Sequence, residues 1–347
     1  GILMDCILKI LNIHLTMSKK RIFLLILVAL TALYFIGPQP DVPSYKFELP
    51  DNFPSELALV DGFIEESNSI HNIKPDNESV LIWADSSTSK TEYALVYLHG
   101  FSASPGEGNP VNRNIAKEYG MNIYIPRLAN HGLNSNEPLL QFSGSDFINS
   151  AYEAIKLGEL LGEKVIVMSC STGGTASLYS IAYSDVNVHS QIMYSPNISL
   201  FDPKAPLLTM PWGLQIARLV KGSEYNIWEV PNDAEKYWYG KYRLEAAVEL
   251  QNMLETSMTP ATFSKISVPT FVSYYYKDDN NKDDVVSVEA IKDMISQLSV
   301  PKESLIEHAF TTVDAHALQS EYFSKDIPEV KKQTRDFIEN VLKIKKP

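Results

Sequence analysis

Short apolar runs alternate with amphipathic stretches along most of the chain. Residues 93–98 (Tyr-Ala-Leu-Val-Tyr-Leu) and 165–168 (Val-Ile-Val-Met) are too brief for helices and carry no polar face, the pattern of strands buried on both sides of a parallel sheet. Residues 189–194 and 268–275 read the same way, with shorter strands at 80–84, 122–125 and 304–307. Helical periodicity fills the gaps. Residues 146–161 read as an amphipathic helix with Phe147, Ala151, Ala154, Ile155, Leu157, Leu160 and Leu161 as its apolar positions, behind Ser143 or Ser145 as N-cap. Helices are also expected at 52–68, 111–119, 177–183 and 330–342. An alternation of this kind predicts an α/β protein, a mostly parallel sheet covered by helices on both faces.

Two regions break the rhythm. At the start, residues 1–16 lead into Met17-Ser18-Lys19-Lys20-Arg21 and then an almost unbroken apolar run at 22–37. Three cations before an apolar run read as a signal sequence or an N-terminal membrane anchor. The run has roughly 16 residues, about 24 Å as a helix, which is short of a hydrocarbon core of roughly 30 Å. With no A-x-A cleavage site and no lipobox cysteine after it, the uncleaved anchor is favoured. The positive-inside rule then keeps Lys19, Lys20 and Arg21 cytoplasmic and exports the remainder, to a bacterial periplasm or cell surface; cleavage would give a secreted protein. Proline-rich residues 38–52 follow as a tether. The second break is 197–266, which holds Trp212, Tyr225, Trp228, Tyr237, Trp238, Tyr239 and Tyr242. So long a connection between strands is usually functional. It divides a core of 53–196 and 267–347 as a cap or lid, whose aromatics either line an apolar pocket or pack on one another.

Composition narrows the partners. The 347 residues carry a net charge of -12, which argues against a nucleic-acid binder and suits a small or apolar substrate. The only cysteines, Cys6 and Cys170, lie in unrelated contexts and are not expected to pair. Asn77 and Asn197 stand in glycosylation sequons too common to carry weight. No metal, nucleotide or flavin signature is visible. The acidic loop 278–284 invites calcium but lacks the EF-hand glycine and terminal glutamate.

Candidate chemistry gathers at strand ends. The 165–168 run stops on Ser169-Cys170-Ser171-Thr172-Gly173-Gly174 and passes into a helical segment, so Ser171 stands at a strand–turn–helix corner. That is the setting of a G-x-S-x-G nucleophile elbow, with Ser169 in place of the first glycine. Close packing between strand and helix is the plainer explanation of the same residues. Cys170 lies one position off the corner and is the poorer nucleophile. The 93–98 strand runs into His99-Gly100-Phe101, an oxyanion-loop signature, so Phe101 N–H and Thr172 N–H are the candidate oxyanion donors.

Together Leu98-His99-Gly100-Phe101-Ser102, the segment Pro126-Arg127-Leu128-Ala129-Asn130-His131-Gly132-Leu133 and the Ser171 corner resemble the α/β-hydrolase superfamily. The chain is similar to its monoacylglycerol lipases, small carboxylesterases and serine aminopeptidase-type hydrolases over residues 93–342. Asn130-His131-Gly132-Leu133-Asn134 departs from the group's G-H-G-x-S, which leaves His131 as a structural turn residue. The resemblance implies a helical cap at 197–266 and a triad acid after the 268–275 strand. Asp283, followed by Asp284-Val285-Val286, has the group's spacing; Asp278, Asp279 and Asp284 share the loop and stay open. It also implies a base histidine after the last strand, where His316 fits and His308 competes. The order Ser171, Asp283, His316 is the superfamily's triad order and implies a serine hydrolase; the aromatic segment 197–266 and an anchor near a membrane suit esters of lipid-like or other apolar acids, and no cofactor is expected. A peptidase, or a catalytically silent binding protein on the same fold, are the alternatives.

Overall fold

The computed structural model describes residues 18–70, 72–231 and 233–347; residues 1–17, with Cys6 and Met17, lie outside them. Ten strands occur among the described residues: β1 (Val80–Ile82), β2 (Thr91–Leu98), β3 (Asn122–Ile125), β4 (Gly162–Cys170), β5 (Val188–Tyr194), β6 (Tyr225–Ile227), β7 (Lys241–Arg243), β8 (Thr270–Asp278), β9 (Asn281–Lys282) and β10 (Leu305–Phe310). The main sheet runs β1-β3-β2-β4-β5-β8-β10, with β9 paired to β8. Its neighbours are parallel except for β1 against β3 and β9 against β8. β6 and β7 form a separate antiparallel ribbon.

Strand alternation sorts the core. Val96 and Val167 face one side, where the helix Gly144–Leu161 buries Phe147, Ala151 and Ile155. Leu95, Ile166 and Phe271 face the other, against Ile115 of helix Val111–Glu118 and Phe337 of helix Ile327–Asn340. Ser143 caps the helix Gly144–Leu161 by accepting from Asp146 N, so the helix begins before Ser145. At 52–68 the helix starts late, as a turn of 3₁₀ helix at Leu57–Leu59 followed by Val60–Ile70. Pro54 keeps Phe53 out of the helical region, and Glu56, extended at φ -150°, ψ 159°, stands as the N-cap.

Register brings the strand ends together. Leu98 pairs with Ser169 and Cys170 with Tyr194, so β2, β4 and β5 finish at one edge of the sheet. The carboxyl end of parallel strands is where such sheets take ligands.

Residues 197–266, between β5 and β8, hold the helix Gly213–Lys221, the β6–β7 ribbon and the helices Leu244–Ser257 and Pro260–Phe263. Helix Leu244–Ser257 buries Ala246, Leu250, Met253 and Leu254 in the same apolar cluster as Phe147 and Val167. Part of this segment is therefore main core. At the amino end, Ser18 caps the helix Lys19–Phe35, whose apolar side chains from Phe23 to Phe35 are largely exposed. Among the described residues no helix is long and apolar enough to cross a membrane.

Candidate active site

β4 ends at Cys170 and the helix Thr172–Tyr183 starts two residues later, leaving Ser171 alone to turn the chain. Its backbone sits at φ 52°, ψ -123°, which a residue with a side chain adopts only under strain. Neighbours hold it there. Ser171 N donates to Tyr194 O at 3.0 Å, and Ser171 O accepts from Gly174 N at 2.8 Å and Asn197 N at 2.9 Å. Small residues after the corner are a steric requirement: a Cβ on Gly173 would stand 2.2 Å from Leu98 O. Asn197, a sequon residue, is buried and donates through Nδ2 to Thr172 Oγ1; Asn77, the other, is buried too.

The acidic loop after β8 and the loop after β10 meet beside this corner. Asp283 Oδ2 lies 2.7 Å from His316 Nδ1, while Asp283 Oδ1 accepts from Val285 N at 3.0 Å and Val286 N at 3.1 Å. Burial alone would raise the Asp283 carboxyl; the His316 imidazole and the two N–H groups outweigh it and hold the group below the usual carboxylate range. Burial alone would lower His316, and the Asp283 charge and hydrogen bond reverse that, so its pKa is raised. His316 Nε2 has no hydrogen-bond partner among the described residues.

The other candidates fall elsewhere. Asp278 caps a turn through Asn280 N and Asn281 N, and Asp279 accepts from Tyr276 Oη at 2.7 Å, both in the open. Asp284 is exposed. His308 lies inside β10, paired with Ser273, its ring 4.4 Å from that of Phe310. Cys170 is fully buried, and burial pushes its thiol well above the usual value. Among the described residues no group of three or more His, Cys, Asp or Glu side chains could hold a metal ion.

Phe101 follows β2 in a loop tied down on every side. Leu128 N donates to His99 Nε2 at 3.0 Å, which leaves the proton on Nδ1 to donate to Gly100 O at 2.9 Å. Ser102 N donates to His131 Nε2 at 3.1 Å, and His131 Nδ1 donates to Ala129 O at 2.8 Å. Burial drives both histidines down, His131 to about 4, so they are neutral struts. His131 holds the loop beside Phe101 rather than merely shaping its own turn. Gly100 is wedged in: a Cβ there would lie 2.9 Å from Ser171 Cβ and 3.1 Å from Glu107 Oε1. Among the described residues, neither Phe101 N–H nor Thr172 N–H has a hydrogen-bond acceptor.

Ser171, His316 and Phe101 line one cleft of about 670 Å³. Leu200, Trp228, Trp238, Tyr242, Val285 and Phe323 give it apolar and aromatic walls, so some of the aromatics of 197–266 reach the site. Others do not: Tyr225 donates to Glu137, and Trp212 Nε1 donates to Leu33 O of the amino-terminal helix. Glu107, a buried carboxyl on the same cleft, has one mark in the sequence, its position between two glycines.

The arrangement can be set beside known proteins. No protein-family model and no curated protein matches the sequence. Among solved structures, one reported for LipS and LipT, two metagenome-derived lipolytic enzymes, aligns with a TM-score of 0.60 at 14% identity, covering 77% of this chain and 98% of that one. The monoacylglycerol lipase of Paleococcus ferrophilus aligns with a TM-score of 0.53 at 12% identity, covering 75% and 97%. At such identities the likeness speaks for architecture alone. Its sheet order, its strand-to-helix corner at Ser171 and these two alignments agree: this chain has the α/β-hydrolase fold.

Proposed function

We propose that the protein is a serine hydrolase of carboxylic esters with apolar acyl or aryl groups. The observation that carries the reading is the 2.7 Å contact of the buried Asp283 carboxylate with Nδ1 of the partly exposed His316, whose Nε2 is unpartnered on the cleft that Ser171 also lines. Ser171 Oγ attacks the ester carbonyl carbon while its proton passes to His316 Nε2. Asp283 fixes the tautomer and stabilises the imidazolium. The tetrahedral oxyanion takes the N–H groups of Phe101 and Thr172; losing one such donor costs about 10²- to 10³-fold in rate. Collapse expels the alcohol, protonated by His316, and leaves an acyl-Ser171 ester. Water, deprotonated by His316, then releases the acid and restores Ser171.

The test is hydrolysis of short- and medium-chain p-nitrophenyl esters beside a Ser171→Ala control. Turnover lost in the control supports the reading; turnover that persists, or none in the parent, rejects it. A second reading, removal of amino-terminal residues from small peptides, draws on one observation: Glu229 and Asp284 line the cleft and could meet a substrate ammonium. Release of amine from aminoacyl p-nitroanilides at rates above the ester rates would favour it.

We also propose that residues 22–37 hold the protein at a membrane. In support, the exposed apolar helix Lys19–Phe35 lies beside Trp212 and the helix Gly213–Lys221, where Ile216, Leu219 and Val220 are exposed. Flotation of the full chain with liposomes, lost on truncation to Asp41, is the expected outcome; flotation unaffected by truncation rejects it.

A further inference from the structure

The loop that presents Phe101 is held by a carboxylate that the acyl-transfer steps leave unused. Glu107 lies in the buried 3₁₀ turn Pro105–Gly108. Gly100 N sits 3.2 Å from its Oε1 and 3.0 Å from its Oε2, and Tyr97 Oη donates to Oε2 at 2.8 Å. Tyr97 Oη in turn accepts from Gln319 Nε2 at 2.8 Å, three residues beyond His316. One carboxylate thus joins β2, the Phe101 loop and the stretch that carries His316.

Its surroundings are costly for a charge. The groups that face it are the Tyr97 hydroxyl from β2, the Gly100 N–H, the Cys170 thiol from β4 and His316, with Asp283 behind the imidazole. Among the described residues no lysine or arginine pairs with it. Burial raises its pKa to about 7, against the opposing pull of Tyr97, Gly100 and His316. A buried carboxylate with no cation beside it is destabilising unless it is fully hydrogen-bonded. Packing alone would be served better by an apolar side chain, so the position of its donors matters.

We propose that Glu107 is a positioning residue: its carboxylate clamps Gly100 so that the next N–H, that of Phe101, is aimed into the cleft, and its charge favours the imidazolium of His316. The proposal rests on the serine hydrolase reading. Gly100 is then held from both directions, its N–H by Glu107 and its carbonyl by His99. The peptide that carries Phe101 N–H cannot rotate without breaking one of these bonds.

Glu107→Ala and Glu107→Gln in the full chain test it, with p-nitrophenyl butyrate as substrate and amide hydrogen exchange of residues 100–103 as a second readout. Glu107→Ala is expected to lose about 10²-fold in kcat, the size of a misdirected oxyanion donor, with KM nearly unchanged. Exchange in the loop should quicken. Glu107→Gln keeps an oxygen for Gly100 N–H and loses the charge, so its kcat falls less and the acid limb of kcat/KM moves to lower pH. Unchanged kcat in both variants, a loss expressed wholly in KM, or a Gln limb that stays in place would overturn the proposal. If Glu107→Ala does not fold, the isosteric Gln variant decides through its pH limb. If the parent protein hydrolyses no ester, the functional reading fails, and unaltered loop exchange in Glu107→Ala would separately sink the clamp.

Discussion

Replacing Asp283 with asparagine exchanges one oxygen for an amide, and the hydrogen bonds around it determine which one. Val285 N and Val286 N both donate to Oδ1, so the asparagine oxygen must take that place. Its NH₂ then faces His316 Nδ1 from the former Oδ2 position, 2.7 Å away. Two donors cannot share that contact, so the imidazole moves its proton to Nε2. The group that should accept the Ser171 proton then already holds one. A wrong tautomer in such a triad costs about 10⁴-fold in kcat, roughly 5.5 kcal/mol of transition-state stabilisation. The assay is steady-state hydrolysis of p-nitrophenyl butyrate from pH 5 to 9, with Asp279→Asn and Asp284→Asn as companions expected to keep near-parental rates. If His316 is the base, as proposed, it must be neutral to act; its pKa is raised above 6.5, so activity should fall as pH drops through that raised value. An Asp283→Asn variant within tenfold of the parent, or an equal loss in Asp279→Asn, would rule out Asp283 as the partner that sets the His316 tautomer.

Gly100→Ala is expected to lower kcat by about 10²-fold with the fold retained, since its Cβ would press on Ser171 and Glu107 and a displacement of about 1 Å costs that much; kinetics beside a thermal melt check it. Glu107 should also mark the stability curve. Its pKa rises from 4.5 to about 7 on folding, so its contribution is most favourable below 4.5 and is lost as pH rises through 7. Glu107→Gln should therefore gain on the parent, by up to about 3 kcal/mol, between urea melts at pH 5 and pH 8. Iodoacetamide should leave the proposed ester hydrolysis intact, because the Cys170 thiol is buried and protonated; inactivation that tracks Cys170 alkylation would contradict this. Esters that carry a carboxylate should show a higher KM than neutral analogues of equal length, and salt should narrow the gap, because Glu229 and Asp284 line the cleft.

The central strands could be read because they are buried on both faces: continuous apolar runs at 93–98 and 165–168 leave little choice of element. β6, β7 and β9 could not, since three-residue and two-residue pairings in polar context carry no periodic signal. Ser143 and Ser145 are equally good caps on paper, and only the Asp146 N–H separates them. Local sequence also left the acid among four aspartates, because which carboxylate meets His316 depends on how β9 folds the loop back on β8. Glu107 escaped notice for a related reason. Burial of a carboxyl is set by the tertiary neighbours Tyr97 and Gln319, distant in the chain, and leaves no periodic trace. Residues 197–266 were legible as an interruption, while the contribution of helix Leu244–Ser257 to the main core showed only in three dimensions.

Under the proposed function, Ser171 is a nucleophile activated by His316. Labelling of the full chain with a fluorophosphonate, followed by peptide mass spectrometry, addresses it without assuming any substrate. One adduct is expected, on Ser171, absent in Ser171→Ala and strongly slowed in His316→Ala. No adduct on a folded protein, or an adduct on Ser171 that forms equally fast without His316, would contradict it.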